Sequence, residues 1–550
     1  FDINPQGVER VSLIKRWRLE PKPKDVEKYK RGELVEPAKP IVFYIDPLTP
    51  KKWIPYLIQG VNDWQKAFEK AGFKNAIYAK VPNAKDDPEW SLEDARFSAI
   101  VYKPSDVPNA SGPSIADPRT GEILESHINW YHNVMKLLND WYFVQASPND
   151  PKARKADFDD ELMGQLIRFV SSHEVGHTLG LRHNYGSSST VPVENLRNNS
   201  WLKANGHTPS IMDYARFNYV AQPEDKISID NLMPRIGDYD DWAIEWGYRR
   251  FYNYNSPEKE KTFINKWTIE KLQNPRLWFG TESNPFDPRS QSEQVGDNPM
   301  IAGKYGVKNL QRVIDNLEAW STKPNEDYSV LADRYNQVSG QFSRYLGHVA
   351  KYIGGVMETP KTVEQKGAVY ELVSKTEQKE ALKFLNDYAF TTPNWILKKD
   401  VLNKINRTPV DVVSNLQNGV LNRILMNGVL ENLNKGESID INAYSLFDYL
   451  QDLKSNIFSE LKTSSKIDIY RRNLQRSFVD NLLSKTDSAT SASIIRMGSS
   501  DNSDVKALVR GTLRDIRNEA SKAASQYSDS VTKYHLEDLV YRIDKALEVK

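Results

Sequence analysis

Apolar positions recur in two ways along this chain. In the first third they form short runs rich in β-branched and aromatic residues. Ile41-Val42-Phe43-Tyr44-Ile45 predicts a buried strand, and Ala76–Val81 and Phe97–Tyr102 are the next strand candidates. Between the first two, Trp53, Tyr56, Leu57, Val61, Trp64, Phe68 and Ala71 fall at gaps of three and four, one apolar helix face over residues 53–71. Pro113–Asp117 and Glu122–Leu124 flank Pro118-Arg119-Thr120-Gly121, turn chemistry that predicts a hairpin. Leu162, Leu166, Phe169 and Val170 then lie on one helical stripe that runs on to His173 and His177. The carboxylates Asp157, Asp159, Asp160 and Glu161 open that helix, where they cap free N–H groups and complement the helix dipole. Calcium (Ca2+) is the alternative for them, but the regular oxygen-ligand loop is missing, so capping is the preferred reading.

Beyond Tyr305 the pattern turns helical. Leu310, Val313, Ile314 and Leu317 recur at helical spacing, as do Leu331, Tyr335, Val338, Phe342, Tyr345, Leu346 and Val349. Further helices are expected at 376–390, 409–435, 443–462, 467–485, 504–525 and 529–547, without a fixed repeat. Four segments follow: 1–39, charged and proline-punctuated, read as a tail and then a linker, with Val8–Leu19 a strand or short helix; 40–250, a domain of strands and helices; 251–304, irregular and proline-rich, with Trp278, Phe279 and Phe286 to pack it down; and 305–550, helical. Residues 184–209, rich in Ser, Asn, Pro and Gly, read as a long loop.

Composition narrows the class. The 550 residues are 39% hydrophobic and 27% charged, as in a soluble globular protein. Net charge is +1, from 74 basic and 73 acidic residues, which gives no reason to expect nucleic acid. There is no cysteine, so no disulfide framework and no thiolate ligand. No run of eighteen apolar residues suggests a membrane span. Oligomeric state is not legible.

The chemistry is concentrated in Phe169–Tyr185. Three of the eight histidines stand there, in the pattern H-E-x-x-H-x-x-G-x-x-H: His173, Glu174, His177, Gly180, His183. Residues four apart on a helix project from one face, so His173 and His177 can share a metal ion. Zinc (Zn2+) suits nitrogen ligands in a tetrahedral site. Glu174 lies beside such an ion, placed to take a proton from the water it activates. Gly180 permits a positive φ, and the chain then swings His183 round as the third ligand, leaving a fourth position open. His127 and His132 read as packing residues, and His207 as outside the ligand set.

That extended pattern resembles the metzincin clan of zinc endopeptidases. The resemblance implies a methionine turn downstream, and Ser210-Ile211-Met212-Asp213-Tyr214 supplies one. Met212 would be a soft packing floor under the histidines rather than a ligand. Tyr214, two residues on, would contact the zinc or the oxyanion, as in some relatives, or be a core tyrosine. Asp240-Asp241-Trp242-Ala243-Ile244 is similar to the D-x-x-A-I helix that closes many metzincin domains. The chain as a whole looks like a bacterial met-zincin family first catalogued as domains of unknown function. One departure is Asn184 after the third ligand, where the well-studied subfamilies carry Glu, Pro, Ser or Asp.

The fold class implied is α+β: a metzincin catalytic domain, with mixed sheet and active-site helix, followed by a mostly α-helical region. The activity implied is zinc-dependent endopeptidase, with Glu174 as general base. Its partner would be a protein or peptide substrate bound as an extended strand, the 113–117 arm being the edge strand it pairs with. Export to the periplasm or cell surface, and a further domain upstream of residue 1, are likewise implied. The rival is a catalytically weak zinc-binding scaffold or interaction module at the bacterial cell surface.

Overall fold

The computed structural model describes residues 6–7, 11–281, 284–486 and 503–547. It contains two compact units: Phe1–Glu282 with Val295–Asp297, and Ser283–Gln294 with Asn298–Lys550.

The first unit is built on a five-stranded sheet. Its early elements are α1 (Val26–Lys30), β1 (Ile41–Ile45), α2 (Ile54–Asn62), α3 (Gln65–Lys70), β2 (Ile77–Lys80), β3 (Ser98–Lys103) and β4 (Ala110–Ser111). Then come β5 (Ile115–Ala116), β6 (Ile123–Glu125), β7 (His127–Tyr131), α4 (Val134–Ala146) and α5 (Asp160–Thr178). The sheet order is β2-β1-β3-β7-β4. The first four strands are parallel, and only β4 runs antiparallel, against β7. β1 is hydrogen-bonded to a neighbour on each side, and Phe43 and Ile45 on it are fully buried. The single helix expected over 53–71 is two, α2 and α3, with Trp64 between them buried and its indole N–H on Ser172 O at 2.9 Å.

The expected hairpin forms, with β5 antiparallel to β6, but as a separate two-stranded sheet. The edge of the main sheet is therefore Ala110–Ser111 and not the 113–117 arm. Pro113 accounts for the shift, since it has no N–H to extend the ladder. Residues 11–39, which read as tail and linker, pack within this unit. Leu19, Tyr29 and Val35 are buried, and the Arg16 amide donates to Gly121 O at 3.1 Å. Of the Val8–Leu19 stretch, residues 8–10 lie outside the described residues; Arg16 makes an isolated parallel bridge to Glu122.

The remaining helices of this unit are α6 (Asn199–Asn205), α7 (Asp238–Tyr248) and α8 (Pro257–Lys271). The segments 184–209 and 251–304, the latter divided between the two units, are more ordered than their composition suggests. Residues 184–209 hold 3-10 turns at Ser187–Thr190 and Val193–Arg197 as well as α6, which Asn198 caps through the Trp201 amide. In 251–304, Pro257 does not break a helix but starts α8, with Ser256 as its cap, and Pro299 likewise starts the next helix behind Asn298. Proline at a first helical position lacks only an N–H that would have had no helical partner.

The second unit is helical, as periodicity predicts. Its helices include Pro299–Asp315, Ser329–Ala350, Lys375–Leu385, Leu446–Ile457, Ile469–Leu483, Val505–Ala524 and Ser530–Ala546. The stretch expected as one helix at 409–435 is two, Pro409–Ile424 and Asn427–Ile439. Leu331, Val338, Phe342 and Leu346 lie at 0% exposure along one stripe of the 329–350 helix. Ser374, Thr408, Ser445, Asp468 and Asp529 each cap a helix through the side chain. No helix among the described residues is long and apolar enough to cross a membrane.

Candidate metal centre and active site

Helix α5 starts where Asp159 accepts the Leu162 amide at 2.9 Å, a capping role for one of the carboxylates there. The helix is pinned to α2 by Ser171 Oγ, which donates to Leu57 O at 3.0 Å, and by Ser172 Oγ, which donates to Gly60 O at 3.1 Å. Its buried face carries His173, and His177 stands one turn on. The helix ends in a Schellman motif. The Leu181 amide reaches back to Gly176 O and the Gly180 amide to His177 O, with Gly180 at φ 90°. This reversal brings His183 back to the helix. A side chain at 180 is barred twice, by the left-handed backbone and by Lys15 O, 2.0 Å from where a β-carbon would stand.

The three imidazoles converge: one ring nitrogen from each of His173, His177 and His183 lies within 4.8 Å of the others. Nε2 of His177 and Nε2 of His183 are 3.2 Å apart. Zn–N bonds of about 2.0–2.1 Å at tetrahedral angles require about 3.3 Å between ligand nitrogens. The opposite ring nitrogens are committed elsewhere. His173 Nδ1 donates to Ile211 O at 2.9 Å, and His177 Nδ1 donates to Leu181 O at 3.0 Å. These bonds fix the tautomers and turn the Nε2 lone pairs inward, as ligation requires. His173 Nε2 is buried without a hydrogen-bond partner among the described residues, which leaves it open to a metal ion. Burial, then the charge of His177, holds the His173 pKa well below its usual 6.5, so the ring is neutral and available as a ligand. The donor set fits zinc.

Glu174 sits beside the triad, 7% exposed. Burial raises its pKa to about 7, against a hydrogen bond from the Gly112 backbone that lowers it. The methionine turn lies against the same helix. Met212 is fully buried, and its Sδ comes within 2.3 Å of where a β-carbon at Gly176 would stand, so the glycine between the two helical ligands makes room for it. Met212 therefore packs against the ligand helix.

The sequence did not reveal what holds that turn. Asp240, fully buried at the start of α7, accepts Ser210 Oγ at 2.6 Å, the Ile211 amide at 2.7 Å and the Gly237 amide at 3.0 Å. Ile211 is also the residue whose carbonyl orients His173. Asp213 accepts Thr208 Oγ1 at 2.6 Å and the Ser188 amide at 2.7 Å. Asn184, the departure noted after the third ligand, donates its own amide to Met212 O at 2.9 Å. Its side chain donates to Trp278 O at 2.9 Å and accepts the Gly280 amide at 2.7 Å. Burial pushes Asp213 and Asp240 each up to about 7 against these hydrogen bonds.

The comparison with known families decides the assignment. A family profile described as Met-zincin matches residues 155–465, more than half of the chain. The chain belongs to the Met-zincin family. No curated protein and no solved structure matches it. Membership makes the site-bearing part a zinc metalloprotease-like domain and implies zinc as its metal.

In this Met-zincin, Tyr214 stands at φ 61° directly after the methionine turn. Its ring centroid is 5.1 Å from that of His173 and 4.9 Å from that of His183. Tyr185 stacks on the His183 ring, 5.0 Å away at 17°. Both tyrosines pack against the His183 ring, and Tyr214 against that of His173 as well. The other histidines stay apart. His127 Nε2 meets Phe97 O, His132 pairs with the Tyr102 hydroxyl, and His207 Nε2 donates to Arg216 O at 3.1 Å. Burial lowers the His207 pKa to about 4, so it is a neutral core residue.

Proposed function

We propose that this protein is a zinc-dependent endopeptidase. The observation that carries the reading is the convergence of three histidine ring nitrogens with a buried carboxylate on the helix that carries two of them. Zinc held by His173, His177 and His183 supplies Lewis-acid polarisation of a carbonyl and a nucleophile near neutral pH. Glu174 moves the proton: a carboxylate oxygen takes it from the attacking water and returns it to the leaving nitrogen. A proton affinity near neutrality suits a group that must do both. Tyr214 donates its phenolic hydrogen to the oxyanion, a role supported by its ring lying against two of the ligand rings. The substrate is an extended peptide on the outer side of Ala110–Ser111. That strand ends the sheet, and an edge strand offers backbone groups for pairing.

The zinc assignment is tested by metal analysis of the full chain. It should hold one zinc per molecule, and Ala at any of His173, His177 or His183 should weaken binding by orders of magnitude. Unchanged stoichiometry in all three variants would sink the assignment. Cleavage of a random peptide library by wild type tests the activity; zinc without any cleavage would favour the scaffold reading.

A further inference from the structure

A cavity of about 620 Å³ lies in the first unit, among α2, α3, α5, α7 and the segment 230–236. None of His173, Glu174, His177 and His183 lines it. The buried part of its lining is Phe169, Ser172, Ile211 and Pro234. Most of its charged groups are already committed. Asp63 accepts two bonds from Arg168, at 2.8 and 2.5 Å, and one from Ser172 Oγ at 3.1 Å. Arg235 donates to Leu202 O and Lys203 O, at 3.1 and 2.8 Å. Asp241 stands 3.9 Å from Lys70. One cation and one anion are left over. The side chains of Lys66 and Asp230 are exposed and make no hydrogen bond or ion pair among the described residues. The Gln165 side chain is likewise unbonded among them.

A ligand with a single charge would answer one of these two groups and be repelled by the other. A ligand with both charges answers both. Phe169 and Ile211 offer apolar surface for a side chain between the two ends. A carboxamide is at once donor and acceptor, so Gln165 can pair with both halves of a peptide group. Small-molecule sites commonly measure about 300–1,000 Å³, so the space suits a short peptide rather than a folded partner. We infer that this cavity binds a short zwitterionic peptide, free at both ends, with Asp230 receiving its ammonium group and Lys66 its carboxylate. Such peptides are end products of peptide hydrolysis. The inference rests on the peptidase reading for the source of the ligand, and on the cavity alone for its chemistry.

The test is calorimetry on the full chain, zinc-loaded and carrying Glu174→Gln so that peptide is not consumed. The probe is the tripeptide Ala-Phe-Ala in three forms: free at both ends, N-acetylated, and C-amidated. The free form should bind, and blocking either end should weaken binding at least tenfold. Adding Asp230→Asn should abolish the effect of acetylation, and adding Lys66→Gln the effect of amidation. Acetohydroxamate, a ligand for zinc, should leave the affinity of the free form unchanged. Failure of the free tripeptide to bind overturns the site, as does equal binding of the three forms. End dependence that survives in both variants, or displacement by acetohydroxamate, puts the peptide elsewhere and overturns it too. Cleavage of a peptide library by wild type without tripeptide binding overturns this site and leaves the peptidase reading standing. End-dependent binding lost in the two variants, without any cleavage by wild type, supports the site and overturns the peptidase as the source of its ligand.

Discussion

The two units are stabilised by different chemistry. In the helical unit the helices pack through aliphatic and aromatic stripes, with buried polar side chains such as Gln417, Gln475 and His535 set among them, and Ser374, Thr408 and Ser445 each accept an amide in a first turn. In the first unit, buried polar side chains instead hold irregular backbone around the three histidines. Asn184, Ser188, Ser210, Asp213 and Asp240 are all within 1% of full burial, and each bonds backbone or a neighbour from a distant stretch of chain. Helices satisfy their own amides, so an apolar stripe is enough to pack them. The segment from 184 to 237 is mostly irregular, and its buried amides need partners that only side chains supply. Around the candidate metal site, buried carboxylates and amides take the place of regular structure.

This contrast can be broken most sharply at Asp240. Asp240→Ala leaves three donors, two of them buried, without their acceptor, which should cost about 3–5 kcal/mol. Hydrogen exchange should show protection lost around residues 184–214 and 237–248, with the helices after 305 unchanged. Equal loss in both units would mean that the polar network is not a local scaffold. Tyr214→Phe separates structure from chemistry within the first unit. If the phenol donates to the oxyanion, kcat should fall roughly ten- to a thousandfold at constant KM and zinc content, since such a bond exists mainly in the transition state. Turnover within a few fold of wild type would make it a packing residue.

The smallest expected effect lies in the helical unit. Burial lowers the pKa of His348 to about 3, and burial followed by the charge of Arg476 lowers that of His535 to about 3. His348 Nε2 donates to Ser292 O, and His535 Nε2 meets Gln475 Oε1. Their folded pKa values lie below the unfolded value near 6.5, so the unfolded chain takes up protons first. The stability they contribute is complete above about 6.5 and is lost as pH falls toward 3, by up to about 1.4 kcal/mol per pH unit for each histidine. Thermal unfolding followed between pH 7 and 5 should show His348→Gln with a shallower acid dependence than wild type. Parallel curves would show that His348 takes a proton in the folded state.

The uneven legibility of the sequence has the same cause as the contrast between units. His173, Glu174, His177, Gly180 and His183 fall within eleven consecutive positions, so local geometry was enough to assemble them. The helices after 305 were legible because an apolar stripe repeats within one helix. Asp240 and Ser210 are 30 residues apart, and Asn184 and Trp278 are 94 apart. No local pattern joins such pairs, and a buried aspartate looks like a surface one until its donors are known. Prolines misled for a related reason: Pro257 starts a helix because Ser256 caps it, a relation of position rather than composition. Asn184 was the one signal available for the polar scaffold, as a residue that did not match the resemblance.

The central claim is that a zinc site in the first unit works through a carboxylate that does not bind the metal. Glu174→Gln tests it directly, because the substitution preserves shape and removes the proton acceptor. Zinc content and peptide turnover are measured on the same full-length preparation, with wild type alongside. The account predicts one zinc per chain in both proteins and turnover in the variant reduced by at least a hundredfold, the usual contribution of a positioned base. Equal turnover by the zinc-loaded variant would contradict it.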